Sequence, residues 1–438
     1  MAVAQTTGNM SPKLMKVARL AKQDPQQRFN SLAHMIDEEM LRRSFERLRP
    51  NAAPGIDGMT KEQYARGLEN RLRDLHGRLK AKRYRHQPIR RVQIPKASGK
   101  KRPIGISSVE DKIVQGALVE VLSAIYEQDF LDCSYGFRPG RSAHDALRSL
   151  NRVLWEGKGN WLIEADIQAY FDSLDRAQLV EMLKLRIADG SLLRLVGKCL
   201  KVGVLDGEEF STPESGTAQG SILSPLLGNI YLHHVLDLWF EQEVRPRLRG
   251  QAEVIRYADD FVIVFEDEAD ARRVMEVLGK RMGRYNLQLH PEKTRLLPVG
   301  RPRGPKDKGG PSTFDFLGFT VFWRKSREGR WRVGLKTRRA SVRRFLASIT
   351  DWCRRHRHLP VKAQQVVLCQ KLNGYNHYFG VNGNIDGLAH VRQRVRRIWQ
   401  KWLSRRSQRS LGWETFCRVW DAYPLPRPRV WAQIWLRT

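Results

Sequence analysis

Two adjacent carboxylates, Asp259 and Asp260, stand inside an apolar run from Val254 to Val264. The β-branched residues on either side predict a strand, a tight turn and a second strand, with the acids at the tip. Ionised carboxylates beside Ile and Val are costly unless a cation compensates them. Mg²⁺ suits this arrangement because it takes one or two protein carboxylates and fills its other positions with water and substrate phosphate. The run therefore indicates phosphoryl or nucleotidyl transfer, with an Asp-Asp turn on a surface hairpin as the alternative.

A third carboxylate is required for such chemistry, and the segment from Trp161 to Asp172 supplies a candidate. Asp166 ends a short apolar strand, and an aromatic pair that could wall off a sugar follows it. Two-metal nucleotidyl transfer needs carboxylates that hold both ions a few ångströms apart. Asp166 and Asp259 are placed to bridge two ions if their strands pair. Glu164 and Asp172 are interpreted as solvated or structural acids.

The segment from Ser215 to Tyr231 lies between these two acidic segments and begins with a turn rich in small residues. Gly216 and Gly220 flank it, and an apolar helix is predicted to follow. Glycine lets the backbone approach a nucleotide base or phosphate closely. Many turns before helices look similar, so the signal comes from the position of this turn between the acidic strands.

The charge balance points to a polyanionic partner. The chain has 438 residues, of which 78 are Lys or Arg and 46 are Asp or Glu, giving a net charge of +32. Such an excess favours phosphate backbones through counterion release. A ribosome-associated or membrane-surface protein would share this charge, so the balance indicates only a class of partner.

The remaining composition predicts a folded protein of the cytoplasm without membrane spans. Hydrophobic residues make up 41% of the chain, and no apolar stretch approaches the ~20 residues that cross a bilayer. The first ten residues lack the pattern of a secretory signal. The five cysteines are scattered and form no C-x-x-C pair, which argues against a disulfide framework and against a zinc site.

The elements that must position these residues follow from periodicity. Helical spacing predicts helices over 29–49, 61–80 and 111–130, and alternation predicts strands over 89–95 and 102–106. From Trp161 to Phe322, short apolar strands mix with helices, as in an α+β domain. From Lys336 onward, the sequence predicts helices dense in Arg and Trp.

In this setting the motifs resemble those of bacterial group II intron-encoded reverse transcriptases, which also act as splicing maturases. The resemblance covers about residue 30 to the C-terminus. The matching segments fall in family order: Ala53–Gly58, Tyr135–Ser142, Asp166–Asp172, Tyr257–Asp260, Leu289–Thr294, Phe316–Phe319 and Asn373–Phe379.

The resemblance implies an α+β right-hand polymerase fold of fingers, palm and thumb, with an antiparallel palm sheet and an all-α basic maturase domain. It implies an N-terminal extension over 1–60, fingers and palm over 61–330, a thumb over 331–365 and a maturase domain over 366–438. The expected function is RNA-directed DNA synthesis with binding and splicing of a group II intron RNA. The expected partners are that RNA, an RNA template, a DNA primer, dNTPs and a second copy in a homodimer.

The resemblance also assigns roles to individual residues. The catalytic and Mg²⁺-binding set would be Asp166, Asp259 and Asp260, with Ile167 as a further metal ligand. The nucleotide site would comprise Arg102, Ile167, Phe171 as a gate against the ribose 2′-hydroxyl, Gln219 and Lys293. An exposed lysine at a helix start is the alternative for Lys293. RNA contacts are expected from Arg138, Arg141, Arg394, Arg397 and Arg405.

Two departures from the family pattern qualify these expectations. Ala218 stands where the family usually has Pro, and Ser221 stands where it usually has Gly, which affects the expected rigidity of the loop around Gln219. Many relatives end in a zinc-dependent endonuclease with Cys pairs, and we expect this chain to lack that route to DNA cutting. Two alternatives stay open: an intron-independent reverse transcriptase serving phage defence or DNA repair, and an RNA-binding splicing factor with a lapsed polymerase site.

Overall fold

Helices and short strands alternate along the chain in a computed structural model. The structure describes residues 10–95, 101–206, 209–211, 216, 220–302, 312–326, 328–406 and 411–435. The α-helices in these ranges are α1 Pro12–Gln23, α2 Glu38–Glu46, α3 Lys61–Ala65, α4 Leu68–Lys80, α5 Val109–Asp129, α6 Ala143–Trp155, α7 Tyr170–Ser173, α8 Arg176–Lys184, α9 Gly190–Leu200, α10 Ser224–Leu232, α11 Glu268–Gly283, α12 Arg339–Arg355, α13 Val361–Phe379, α14 Ile385–Leu403 and α15 Trp413–Ala422.

The strands of the described ranges form three sheets. They are β1 Ile89–Pro95, β2 Lys101–Ile106, β3 Trp161–Ala165, β4 Val204–Asp206, β5 Glu209–Ser211, β6 Ala252–Tyr257, β7 Asp260–Phe265, β8 Arg295–Pro298, β9 Phe314–Phe316, β10 Phe319–Lys325 and β11 Trp331–Thr337. The strand orders are β2-β1-β4-β5, β11-β10-β9 and β6-β7-β3-β8. The β1–β2 and β10–β11 pairs are antiparallel, and the short β1–β4 pair is parallel. The expected mixture of helices with mainly antiparallel sheets is confirmed.

Two predicted helices are shorter than expected, for local reasons. The helix expected over 29–49 reduces to α2, because the Asp37 side chain accepts the Met40 N–H at 2.9 Å and starts the helix there. The helix expected over 61–80 divides into α3 and α4 at Gly67, whose φ of +78° breaks the helical path.

The chain divides into two compact units. The first comprises 1–142, 163–263 and 267–296, and the second comprises 143–162, 264–266 and 297–438. In the first unit, α5 is almost entirely buried and packs against α1 and α2. Because residues on every side of α5 are buried, it is the central helix of this unit.

In the second unit, helices α12 to α15 share one hydrophobic core. Ile349 and Cys353 of α12 pack in it with Leu372 of α13 and Trp399 of α14. The expected boundary between residues 365 and 366 falls inside α13, so the segments predicted as thumb and maturase domain are joined by a continuous helix. No helix in the part of the chain described here is long and apolar enough to span a membrane.

One buried carboxylate joins the N-terminal segment to the rest of the first unit. Asp189 accepts the N–H groups of Leu32 and Ala33 at 2.7 and 2.8 Å, and those of Ser191 and Leu192 at the start of α9 at 2.8 and 3.1 Å. Burial opposes the negative charge, but the four backbone donors together outweigh it and lower the pKa of Asp189.

We expect Asp189→Ala to lower the free energy of unfolding by about 2–3 kcal/mol, because four N–H groups lose a charged acceptor. Asp267→Ala is the matched control, since Asp267 caps α11 through one N–H group and should cost about 1 kcal/mol. Because the folded pKa is depressed, the Asp189 contribution is present above pH ~4 and is lost as the pH falls through the folded pKa. Urea unfolding at neutral and acidic pH measures both effects, and a difference that widened in acid would contradict this account.

Candidate active site

The apolar run around the paired acids forms the expected hairpin. Strand β6 ends at Tyr257, β7 begins at Asp260, and the turn consists of Ala258 and Asp259. Ala258 adopts a φ of +58°, which permits this tight reversal at the cost of local strain. The residues of β7 after Asp260 are buried, whereas Asp260 itself is exposed. The hairpin therefore presents both carboxylates at the open edge of the sheet.

Asp166 reaches the same edge because β3 lies beside β7. The Asn160 N–H donates to the carbonyl of Phe265 at 2.8 Å, so the two strands run antiparallel. Asp166 directly follows β3 and Asp259 directly precedes β7, so both residues lie at the same end of this antiparallel pair. The carbonyl of Asp166 accepts the His290 N–H at 2.8 Å, which ties the end of β3 to the segment before β8.

Two basic side chains from the approach to β8 contact the acids of β3. The Lys293 ammonium lies 2.5 Å from Asp166 Oδ2, and the Arg295 guanidinium lies 2.5 Å from Glu164 Oε2. Lys293 lies in a turn, so the alternative of a helix start is wrong. Glu164 has the structural role expected of it, since its carboxylate is paired with Arg295.

The donor set at this edge has the chemistry of a magnesium site. Asp166, Asp259 and Asp260 offer hard carboxylate oxygens, and Ile167 is buried next to Asp166. Among the residues that the structure describes, no three His, Cys, Asp or Glu side chains converge closely enough to enclose a metal ion. The residue types and their shared edge fit Mg²⁺, and Asp166 Oδ2 already contacts Lys293.

A fully buried arginine holds the acidic turn from behind. The guanidinium of Arg256 donates to both carboxylate oxygens of Asp237, at 2.8 and 2.5 Å, and to Asn229 Oδ1 at 3.0 Å. Its remaining hydrogen bonds reach the Ala258 carbonyl at 3.1 Å and Ser134 Oγ at 2.8 Å. These contacts match the five N–H donors of a guanidinium. Burial disfavours the charged form of Arg256, but the interaction with Asp237 outweighs this effect and raises the pKa of Arg256.

The loop after α5 closes over the same turn. A Cβ atom on Gly136 would lie 2.3 Å from the Ala258 nitrogen, so only glycine lets the loop backbone reach the hairpin. Asn229 donates to the Gly136 carbonyl at 2.7 Å, and the Tyr135 N–H donates to the Arg256 carbonyl at 2.8 Å. The loop, α10 and β6 thus form one hydrogen-bonded support for the acids.

The glycine-flanked turn is anchored at both ends. A Cβ atom on Gly216 would lie 2.6 Å from the Asp172 carbonyl oxygen, and one on Gly220 would lie 2.5 Å from the Gly105 carbonyl oxygen of β2. The Ile222 N–H then donates to Gln115 Oε1 of α5 at 3.1 Å. Gln219 and Ala218 lie outside the described residues. The anchors bring the two ends of this turn against α7 and β2.

The aromatic pair after Asp166 begins α7. The Tyr170 hydroxyl donates to the Gly228 carbonyl at 2.5 Å, and burial raises its pKa well above the ordinary value. The Phe171 ring lies 5.2 Å from the Tyr170 ring, centroid to centroid, and is only partly buried. Tyr170 therefore anchors the short helix, and Phe171 keeps an accessible ring a few residues beyond Asp166.

The residues expected to bind RNA differ in their surroundings. Arg138 is buried and donates to Glu127 at 3.0 Å and to two backbone carbonyls, which argues against the expected RNA contact. Arg141 is paired with Asp132 and lies over the Tyr135 ring. The other three expected RNA contacts, Arg394, Arg397 and Arg405 of the second unit, are exposed. For Arg102, the structure describes the backbone, which pairs with Ile94 in the β1–β2 hairpin, while its side chain lies outside the described part.

Sequence reasoning missed the buried support formed by Arg256, Asp237 and Asn229. One signal was present, because Arg256 is the single cation inside an apolar strand immediately before the acidic turn. A buried guanidinium requires a carboxylate partner, but Asp237 lies 19 residues away and nothing local identifies it.

We expect Asp237→Ala to lower the free energy of unfolding by about 3–5 kcal/mol, because it leaves the Arg256 charge buried without its partner. Glu241→Ala breaks the nearby exposed pair with Arg245, whose atoms lie 2.6 Å apart, and should cost less than about 1 kcal/mol. Urea unfolding of the two variants measures the difference. Equal losses would contradict the role of this pair as the support of the turn.

Comparison with known proteins agrees with this geometry. Residues 94–321, just over half of the chain, match the family model described as reverse transcriptase (RNA-dependent DNA polymerase). Protein YkfC of Escherichia coli K12 is 32% identical over 369 residues, which cover 76% of this chain and 94% of that protein.

Two further relatives are encoded in introns. The group II intron-encoded protein LtrA of Lactococcus lactis is 34% identical over 249 residues, covering 54% of this chain and 41% of LtrA. An uncharacterised 91 kDa protein in the cob intron of Schizosaccharomyces pombe is 47% identical over 164 residues, covering 37% of this chain and 20% of that protein. The chain thus spans less than half the length of these two relatives. It belongs to the reverse transcriptase family of RNA-directed DNA polymerases, and within that family to the group II intron type.

Proposed function

We propose that the open edge of the β6-β7-β3-β8 sheet is a nucleotidyl transfer site that copies RNA into DNA. The observation that supports the proposal is the β6–β7 hairpin with Asp259 and Asp260 at its turn, beside β3, which Asp166 follows directly. Three carboxylates at one sheet edge suit two divalent ions and an incoming triphosphate.

Asp166, Asp259, Asp260 and the backbone of Ile167 would hold the magnesium ions. When bound, two Mg²⁺ ions supply Lewis acidity to the primer 3′-hydroxyl and charge neutralisation to the leaving pyrophosphate. Lys293 has its ammonium 2.5 Å from Asp166, so it is positioned to pair with a phosphate that binds beside this carboxylate.

The surrounding residues would select and orient the nucleotide. Phe171 would stack against the sugar and exclude a 2′-hydroxyl, while Gln219 and Arg102 would contact the nascent base pair and the triphosphate. The anchoring of the glycine-flanked turn against β2 and α7 supports this assignment, because the loop that bears Gln219 is held at both of its ends.

We further propose that the second unit binds a group II intron RNA and assists its splicing and mobility. The exposed side chains of Arg394, Arg397 and Arg405 and the net charge of +32 support RNA binding. The names of two relatives tie those proteins to introns. In this proposal residues 1–60 form an N-terminal extension, 61–330 the fingers and palm, 331–365 the thumb and 366–438 the maturase domain. Template, primer and dNTPs complete the partners, with a homodimer as the assembly.

Primer extension on an RNA template with Mg²⁺ and dNTPs tests the polymerase site. We expect Asp259→Ala to lower the extension rate by roughly 10³-fold or more, because it removes a ligand that acts on the transition-state charge. Glu253→Ala, in the same hairpin but away from the turn, should extend primers as the wild type does. Failure of the wild type to extend, with RNA binding retained, would instead support a splicing factor with a lapsed polymerase site.

A second test addresses the proposed sugar gate. We expect Phe171→Ala to raise the relative rate of ribonucleotide incorporation by roughly 10–100-fold, because the ring would no longer clash with a 2′-hydroxyl. Tyr170→Phe is a poor control because Tyr170 anchors α7, so Phe171→Tyr, which keeps the ring, serves instead. Unchanged discrimination in Phe171→Ala would contradict the gate while leaving the aspartate site intact.

A further inference from the structure

The second unit contains a cavity of about 610 Å³, and the described residues that line it are arginines and one histidine. Its residues come from the end of α12, the turn that follows it and the end of α14. They are Arg354, Arg355, Arg357, His358 and Arg406. None of them belongs to the proposed nucleotidyl transfer site.

The positive charge of this cavity is only partly compensated by the protein. Asp351 pairs with both Arg354 and Arg355. Arg357 instead donates to the Arg354 carbonyl at 2.9 Å, and Arg406 donates to the His358 carbonyl at 3.2 Å. Carbonyl groups leave a guanidinium charge in place, so among the described residues these four arginines share a single carboxylate. The cavity therefore carries an excess of three positive charges.

A buried polar clamp holds the arginine-bearing turn in shape. Gln364 of α13 is fully buried, and its amide nitrogen donates to the carbonyls of Arg357 at 3.1 Å and Leu359 at 2.8 Å. Its amide oxygen accepts the indole N–H of Trp399 from α14 at 3.1 Å. Because Trp399 is itself buried in the shared core, the turn is fixed before any ligand arrives.

The lining excludes a small apolar ligand and suits phosphates. Cavities of about 300–1,000 Å³ hold groups larger than one phosphate. Guanidinium groups bind phosphate oxygens in bidentate fashion. Aromatic residues are neighbours in sequence of this lining: Trp352 stacks on His356 at 4.9 Å, and Arg405 lies 5.5 Å from the Trp402 ring. Such planes suit the unpaired bases of a single strand.

We propose that this cavity binds consecutive phosphates of an unpaired RNA strand. The proposal rests on the RNA-binding function inferred above and adds a defined site to it. Arg357 and Arg406 are the principal contacts, because no carboxylate in the described part of the chain pairs with either side chain. The clamp by Gln364 positions them without contacting the ligand.

Binding of an oligouridine RNA to the full chain, measured at several salt concentrations, tests the site. We expect the double variant Arg357→Gln/Arg406→Gln to bind roughly 10–100-fold more weakly and to reduce the slope of log K against log salt by about 1–2. The matched control is Arg343→Gln/Arg344→Gln, which removes two exposed charges from the same helix α12 outside the cavity and should change binding less than about threefold.

An equal loss in both double variants would overturn the site, because net charge alone would then explain binding. Unchanged RNA binding in the cavity variant would overturn the site as well. The same conclusion would follow if the cavity variant lost as much affinity for a DNA duplex as for RNA. It would also follow if polyglutamate of equal charge displaced the RNA from the wild type. If circular dichroism shows that the double variant is unfolded, Arg406→Gln alone should still reduce the slope of log K against log salt. An unchanged slope in that single variant would contradict the proposal. Primer extension on a short template separates this proposal from that of the polymerase site. A failed extension would leave the measurement of RNA binding to the cavity valid.

Discussion

The acidic turn depends on one buried cation. Arg256 lies behind Ala258 and Asp259, with its five N–H donors directed at Asp237, Asn229, Ser134 and the carbonyl of the turn itself. A buried charge of this kind is tolerated only with a partner of opposite sign and full hydrogen bonding. The same requirement therefore brings together the loop after α5, the helical segment after α10 and the hairpin. These hydrogen bonds hold the turn in place, although the neighbouring carboxylates of Asp259 and Asp260 repel one another when no cation is bound.

Close backbone approach is the second constraint on the site. Gly136 meets the hairpin, Gly216 meets the segment after Asp166, and Gly220 meets β2. A Cβ atom at any of these positions would lie within 2.6 Å of backbone, so the elements around the acids pack without side chains between them. This arrangement leaves the sheet edge open to a substrate while the loops beside it are held by hydrogen bonds.

Arginine serves two different purposes in this chain. Arg138 and Arg256 are buried and bound to carboxylates, so they contribute to the fold and not to the surface potential. Arg394, Arg397 and the cavity arginines at the ends of α12 and α14 keep their charge exposed. The net charge of +32 is therefore not spread evenly over the surface. The number of basic residues overstates the positive charge that a bound polyanion contacts.

Sequence by itself determined the hairpin with its two acids, the apolar strand that ends at Asp166, and the helical C-terminal region, because short-range periodicity and turn chemistry encode each of them. The family followed from the order of its motifs. Only the tertiary structure decided that Lys293 contacts Asp166, that Asp237 compensates Arg256, and that Gln364 holds the turn at Arg357. These partners are separated by between 7 and 127 residues, and their pairing follows from burial and packing, which no local pattern in the chain records.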